Sequence, residues 1–153
     1  MLISNFGLKL IKIFESLSLK PYKCSGGYYT IGYGHKMLRP DQYTSIDDKM
    51  AETLLIKDIS KAEASVIRNI KVDLSQEQLD ALVSFTFNVG GAALQRSQLK
   101  QKINSDNKDN VKEEFLKWTF ARGKRITGLI RRREIEAEVF LGRQSKINIT
   151  ALL

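Results

Sequence analysis

The chain has 153 residues, 42% of them hydrophobic and 27% charged, as expected of one soluble globular domain able to bury roughly 68–70% of its unfolded surface. Its net charge of +8 favours an anionic partner, whether nucleic acid, a lipid surface or an acidic polymer such as a cell wall, without choosing among them. A single cysteine excludes an intrachain disulfide and fits a reducing compartment, and no apolar run approaches the length that spans a bilayer.

The N-terminal stretch "MLISNFGLKLIKIFE" is interrupted by Asn5, Lys9 and Lys12. It lacks the apolar core and cleavage site of a signal peptide. Phe6, Leu10, Ile11 and Phe14 instead recur at helical spacing, with Ser4 or Asn5 able to cap, and predict a helix over residues 4–15 that ends near Glu15. Pro21 opposes any continuation of that helix. "KPYKC", "SGG" and "YYTIGYG" then read as a β-hairpin over residues 20–34 with a glycine turn. A short strand or loop is expected around residues 36–44, where Pro40 opposes a helix.

From Ser45 the period changes. "SIDD" offers an N-cap, and Ile46, Met50, Leu54, Leu55, Ile59, Ala62, Val66, Ile67 and Ile70 share a face, predicting a helix of about 25 residues. "SQEQ", residues 75–78, is a capping box ahead of Leu79, Leu82, Val83, Phe85 and Phe87, and "NVGG" stops that helix. Further helices are expected near 97–104, 109–119 and 127–141, with Gly142 as the C-terminal cap. Residues 143–153 read as a loose tail. The order predicts a single α+β domain: a sheet-bearing lobe over about 15–60, and a helical lobe over about 71–142 that also takes the N-terminal helix.

Candidate chemistry concentrates in "FESLSLKPYKCSGGYYTIGYGH". Glu15 closes an apolar helix, and a carboxyl against apolar surface resists ionisation and can donate a proton; a solvated helix-end glutamate is the alternative. The Thr30 hydroxyl can hold a water, or the residue simply serves its strand. Cys24 can help Thr30 hold that water, act as a small buried hydrophobe, or act as a nucleophile with His35 as base. His35 is otherwise expected to pair with Asp58 on the long helix. One histidine and one cysteine make a poor metal site, no phosphate-cradling GK[ST] motif occurs, and no cofactor is expected.

Glu15, eight residues, Cys24, five residues, Thr30, followed by "TIGYGH", resembles the catalytic segment of phage-type lysozymes, the endolysins or muramidases. That family's pattern has an aspartate, sometimes a cysteine, at the second position. "GLKLIKIFESLSLKPY", "LDALVSFTFNVG" and "FLKWTFARGKRITGLIRRREIEAEVFL" resemble its first helix, central helix and C-terminal block, so the resemblance covers about residues 4–142. It implies a lysozyme-like fold with a cleft between two lobes, and hydrolysis of the β-1,4 bond between N-acetylmuramic acid and N-acetylglucosamine in peptidoglycan.

In that setting Glu15 is the general acid, Thr30 helps place the attacking water, and Cys24 stands at the aspartate position. Retaining glycosidases set two carboxyls about 5–5.5 Å apart and inverting ones use a second carboxylate as base. A free thiol, titrating near about 8.5, is a weak base at neutral pH. Water attack with Cys24 and Thr30 positioning the water is therefore favoured over attack by Cys24, with inversion the preferred outcome.

Substrate contacts are expected from Tyr33 and Gly34, which close the hairpin, and from Asn88, whose amide either bonds a sugar or caps its helix. Arg131 and Arg132 are expected to pair with Glu134 or Glu138 or to face the anionic wall, and Trp118 and Phe120 to lie in the core. The resemblance and the absent signal together imply accumulation in the host cytoplasm and release by a separate holin; nothing in the sequence demands more than a monomer. The alternative function is a basic wall- or membrane-binding permeabiliser that cuts no sugar. Nucleic-acid binding through "RGKRITGLIRRR" lacks a recognised motif.

Overall fold

A computed structural model describes residues 1–24, 26–40 and 42–152. The expected turn "SGG" includes Ser25, and the expected strand or loop at 36–44 includes Asp41; both residues lie outside the described set. The order is α1 (Asn5–Glu15), β1 (Ser18–Lys23), β2 (Tyr29–Gly32), β3 (His35–Lys36), α2 (Asp48–Asn69), α3 (Gln76–Val89), α4 (Gly91–Arg96), α5 (Gln98–Asn104), α6 (Val111–Leu116), β4 (Phe120–Ala121), β5 (Lys124–Arg125) and α7 (Thr127–Phe140). β1, β2 and β3 form an antiparallel meander, and β4 pairs with β5 in a separate two-stranded ribbon.

Two apolar clusters organise these elements. The larger joins α1, α3, α6, α7 and the C-terminal two-thirds of α2 through Leu10, Ile11, Leu55, Val66, Leu82, Phe85, Phe115 and Val139. The smaller, Ile31, Met37 and Leu54 with Tyr43 and Ile46 against them, sits between the meander and the first turns of α2. At 22 residues and about 1.5 Å per residue, α2 spans roughly 33 Å and carries one cluster at each end.

α1 belongs to the helical side because its start is anchored there. The Ser4 amide donates to Asp80 Oδ1 at 2.9 Å, its hydroxyl bonds Asp80 Oδ2, and the Ile3 amide donates to Glu63 Oε1 at 2.7 Å. Gly7 is needed at this junction: a Cβ there would lie 2.8 Å from Asp80 Cγ. α3 begins on the expected capping box, with Ser75 and Gln78 exchanging side-chain-to-backbone bonds.

Several expectations are corrected. The long helix is capped by Asp47, whose side chain accepts from the Met50 amide, rather than by Ser45. Met50 and Ile67 fall off its buried face, at 41% and 59% exposed. The helix expected over 109–119 is only Val111–Leu116, and the chain then turns through β4 and β5. The tail is held as well: Ile147 and Leu152 pack on the main core, and Arg131 Nη2 donates to the Ala151 carbonyl at 3.2 Å. No helix among the described residues is long and apolar enough to cross a membrane.

Candidate active site

α1 delivers Glu15 to the seam between the lobes. The chain turns away at once, because Ser16 takes a left-handed φ of 56° while its amide still bonds the Lys12 carbonyl at 2.9 Å. Glu15 is not set against apolar surface alone, as the sequence suggested. Its Oε1 accepts from Arg132 Nη1 at 2.5 Å, and the Arg132 guanidinium lies over the Phe14 ring.

Arg132 is itself buried and fixed from three sides. Its Nε donates to Glu136 Oε1 at 3.0 Å and its Nη2 to the Ser84 carbonyl at 3.0 Å. Glu136, fully buried, also accepts from the Ser84 hydroxyl at 2.7 Å and pairs with Arg133 Nη1. Arg133 completes the chain by donating to the Trp118 carbonyl at 3.0 Å and to Asn88 Oδ1. Arg132, Arg133 and Glu136 are thus paired where they are buried and an unpaired charge is costly, while Glu15, at the end of the chain of bonds, still faces the cleft. Burial alone would lower the Arg132 pKa, but Glu15 and Glu136 outweigh it and hold the guanidinium above its usual range. Arg133 is held below that range, chiefly by burial, with Glu136 opposing.

This network replaces the pairings expected from helical spacing. Arg132 binds Glu136 and Glu15, whereas Glu138 pairs with Lys112 and Arg143 on the surface. It also removes two cations from the basic run "RGKRITGLIRRR", since Arg132 and Arg133 face inward. Asn88 lies inside α3, which ends on Gly90, so it is not the helix cap.

The opposite wall comes from the meander. Cys24 follows β1; its amide donates to the Tyr28 carbonyl at 2.9 Å, and the Gly27 amide returns to the Cys24 carbonyl at 2.9 Å. Thr30 is buried in β2, paired with Tyr22, and its hydroxyl donates to the Tyr22 carbonyl at 3.3 Å. That bond uses the hydroxyl hydrogen and leaves the oxygen free to accept. Tyr28 belongs to the same wall, although no sequence pattern marks it. Burial raises its phenol pKa, and the neighbouring Cys24 side chain and the Glu15 carboxylate add to the effect. Lys36 Nζ stands 4.3 Å from the centre of the Tyr28 ring.

Glu15, Cys24, Thr30, Gly34 and Asn88 line one cleft of about 830 Å³, with Tyr22, Tyr28, Phe87, Trp118, Phe120 and Leu129 among its other walls. Tyr33 is placed elsewhere: its ring packs against the main core, with Lys12 Nζ 5.5 Å from its centre. Gly34 has a steric reason for its identity. At φ 71° its missing Cβ would lie 2.5 Å from Glu15 Oε2, so glycine there admits the carboxylate.

Trp118 meets Phe85 edge-on at 5.7 Å, as a core residue would. Phe120 is 60% exposed on β4 and does not join the core; the two-residue ribbon sets it in the wall of the cleft. His35 Nδ1 bonds Asp58 Oδ2 at 2.5 Å, the expected pairing. Burial works to raise the Asp58 pKa, but the bonds from His35 and Lys61 prevail and hold it below the usual carboxylate range. His35 lines an adjoining groove and not the cleft that holds Cys24, so no Cys24–His35 dyad is assembled.

Comparison with known proteins agrees with this architecture. The family described as Phage lysozyme matches residues 12–136. An endolysin of Bacillus phage B103 is 45% identical over 94% of this chain and 56% of its own length. An endolysin of Acyrthosiphon pisum secondary endosymbiont phage 1 is 41% identical over 90% of this chain and 97% of its own. The chain therefore spans about half of the first relative and nearly all of the second. Among solved structures, the endolysin from Escherichia coli O157:H7 phage FAHEc1 superposes with a TM-score of 0.79 at 38% identity, covering 92% of this chain and 94% of that one. The muramidase domain of SpmX from Asticaccaulis excentricus gives 0.80 at 32%, covering 91% and 97%. With the motif, the two-lobed fold and the cleft in agreement, the chain belongs to the phage lysozyme family.

Proposed function

We propose that the chain is an endolysin-type muramidase that hydrolyses the β-1,4 bond between N-acetylmuramic acid and N-acetylglucosamine in bacterial peptidoglycan, for lysis of the host cell. The observation that carries this reading is the Glu15 carboxyl group, clamped at Oε1 by buried Arg132 and facing, across one cleft, the Cys24–Thr30 wall. A proton donor at a fixed position on one side of a sugar and a water site on the other are the two parts that glycosidic cleavage requires.

Glu15 protonates the leaving glycosidic oxygen as the bond breaks. Arg132 fixes the direction from which the proton comes, since Oε1 is held and Oε2 lies at Gly34. The oxygen of Thr30, its hydrogen committed to Tyr22, accepts from the attacking water, and the Cys24 thiol is that water's second partner. No second carboxylate lines the cleft among the described residues, so the water is oriented rather than deprotonated before attack; the proton it loses as the new C–O bond forms passes to solvent, from which the Glu15 carboxylate is reprotonated. Attack from the face opposite Glu15 gives inversion. Asn88, its Oδ1 held by Arg133, presents its amide NH₂ to the substrate from the helical wall.

Relatives named as endolysins and a muramidase-domain neighbour favour this reading over a permeabiliser that cuts no sugar. Release by a separate holin belongs to the same proposal. Mass spectrometry of purified wall digests tests the function. Muropeptides ending in a reducing N-acetylmuramic acid are expected; wall that thins without new reducing ends points to the permeabiliser.

A further inference from the structure

The β4–β5 ribbon has no task in the reaction described above, yet it reaches from the helical lobe to the meander. Its register, Phe120 with Arg125 and Ala121 with Lys124, leaves Arg122 and Gly123 as a two-residue turn. Both take positive φ, 51° and 76°. Turns of that kind favour asparagine, aspartate or glycine at the first position, and an arginine there is held in a backbone conformation that its Cβ opposes.

The side chain supplies a reason. The Arg122 guanidinium lies against Gly27 in the turn between β1 and β2, where a Cβ at Gly27 would collide with Nη2. The residues beside this contact, Ala121 and Gly26, line the catalytic cleft from the ribbon and from the meander. The contact therefore bridges the cleft at its rim. Arg122 is exposed, and its guanidinium has neither an ion pair nor a hydrogen bond among the described residues. Two positions earlier, Phe120 is 60% exposed in the cleft wall, and aromatic rings that line a cleft are typical ligand contacts.

We propose that the ribbon holds the glycan strand in the cleft, with Phe120 as the face on which a sugar ring stacks and Arg122 as a strap that closes over the strand onto Gly27. The inference rests on the muramidase reading and names how that substrate is kept in place. The C–H face of a pyranose is apolar and flat, so it covers an aromatic ring well. The edge of the sugar carries hydroxyl and acetamido oxygens, which are acceptors for the free N–H donors of Arg122. A strand within a cross-linked wall offers few free ends, so it enters from the side and the strap swings aside to admit it. An exposed arginine side chain without partners makes that movement quickly.

The test uses Trp118, the single tryptophan, as a fluorescent reporter, because it lines the cleft. Stopped-flow mixing with a peptide-free hexasaccharide of alternating N-acetylglucosamine and N-acetylmuramic acid gives association and dissociation rates. Every chain carries Glu15→Gln to prevent cleavage. Arg122→Gly should release the hexasaccharide roughly tenfold faster and bind it no more slowly. Its melting temperature should stay at or above that of its parent, since glycine accepts the positive φ. Arg122→Asn, which also suits the turn but is too short to reach Gly27, should match it, and Arg122→Lys should fall between. Phe120→Ala should weaken affinity roughly tenfold. Phe120→Tyr should keep full affinity, and Phe120→Leu, apolar but not flat, should not. Release at the parent rate from Arg122→Gly, or full affinity in Phe120→Leu, would overturn the proposal. A wild type that frees no reducing ends from purified wall would instead remove the muramidase reading beneath it.

Discussion

Arg132 and Glu15 lie 117 residues apart in sequence, yet Arg132 Nη1 donates to Glu15 Oε1 at 2.5 Å. The bond ties the last turn of α1 to the inner face of α7, with Glu136 and Ser84 holding the guanidinium from behind. Arg132→Lys keeps the charge and loses the planar fork that lets one side chain serve Glu15, Glu136 and the Ser84 carbonyl together. It should lower kcat roughly 100-fold, the scale of a displaced catalytic group, with a smaller effect on KM. Steady-state rates of reducing-end release check this.

Gly34 sets the other boundary of Glu15. Alanine would adopt an unfavourable φ of 71° and push its Cβ toward Glu15 Oε2. Gly34→Ala should cost about 1–2 kcal/mol of stability and also lower kcat, because the carboxylate must move. Thermal melts and initial rates, read together, should show both effects. A variant with the stability loss alone would show that Oε2 has room elsewhere.

The His35–Asp58 pair joins the meander to α2 and should make stability depend on pH. The folded Asp58 pKa is depressed, so its contribution is fully present above the ordinary carboxylate value near about 4. That contribution is lost as pH falls through the lower folded value. At neutral pH Asp58→Asn should destabilise by about 2 kcal/mol, typical of a hydrogen bond to a charged group. The gap to wild type should shrink as pH falls below about 4. Urea unfolding along this range measures it. A gap that widened below about pH 4 would contradict the assigned sign.

Cys24 carries the least usual part of the mechanism. Cys24→Asp should retain or raise activity on purified wall, Cys24→Ser should be intermediate, and Cys24→Ala lowest. Full activity in Cys24→Ala would reduce the residue to packing. A glycosyl–cysteine adduct trapped in the wild type, with activity lost in Cys24→Asp, would make it the nucleophile.

What could be read in the sequence, and what could not, divides by distance along the chain. The α3 capping box, the α2 periodicity and the Gly142 stop after α7 are local signals and place their helices within a few residues. Glu15, Cys24 and Thr30 lie within 16 consecutive positions, so the motif exposes them. β4 and β5 have two residues each, too few to show a period of two, and Phe120 therefore reads as a core residue although it lies in the cleft wall. The turn "RG" at 122–123, with both residues at positive φ, is the signal available for them. α4, six residues opening on Gly91, is hidden by the glycine pair that ends α3. The Arg132–Glu15 and Arg133–Asn88 bonds span 117 and 45 residues, and helical spacing can propose only partners on α7. Tyr33 looks like a cleft residue because it adjoins Gly34, but the turn directs its ring into the core.

The most direct measurement is the release of reducing ends from purified peptidoglycan by Glu15→Gln beside the wild type. The amide keeps the size of the side chain and an oxygen for Arg132, and it cannot give up a proton to the glycosidic oxygen. Loss of at least about 100-fold in rate is expected, the scale of general-acid catalysis, with the fold intact by circular dichroism. Wild-type rates in that variant would contradict Glu15 as the proton donor.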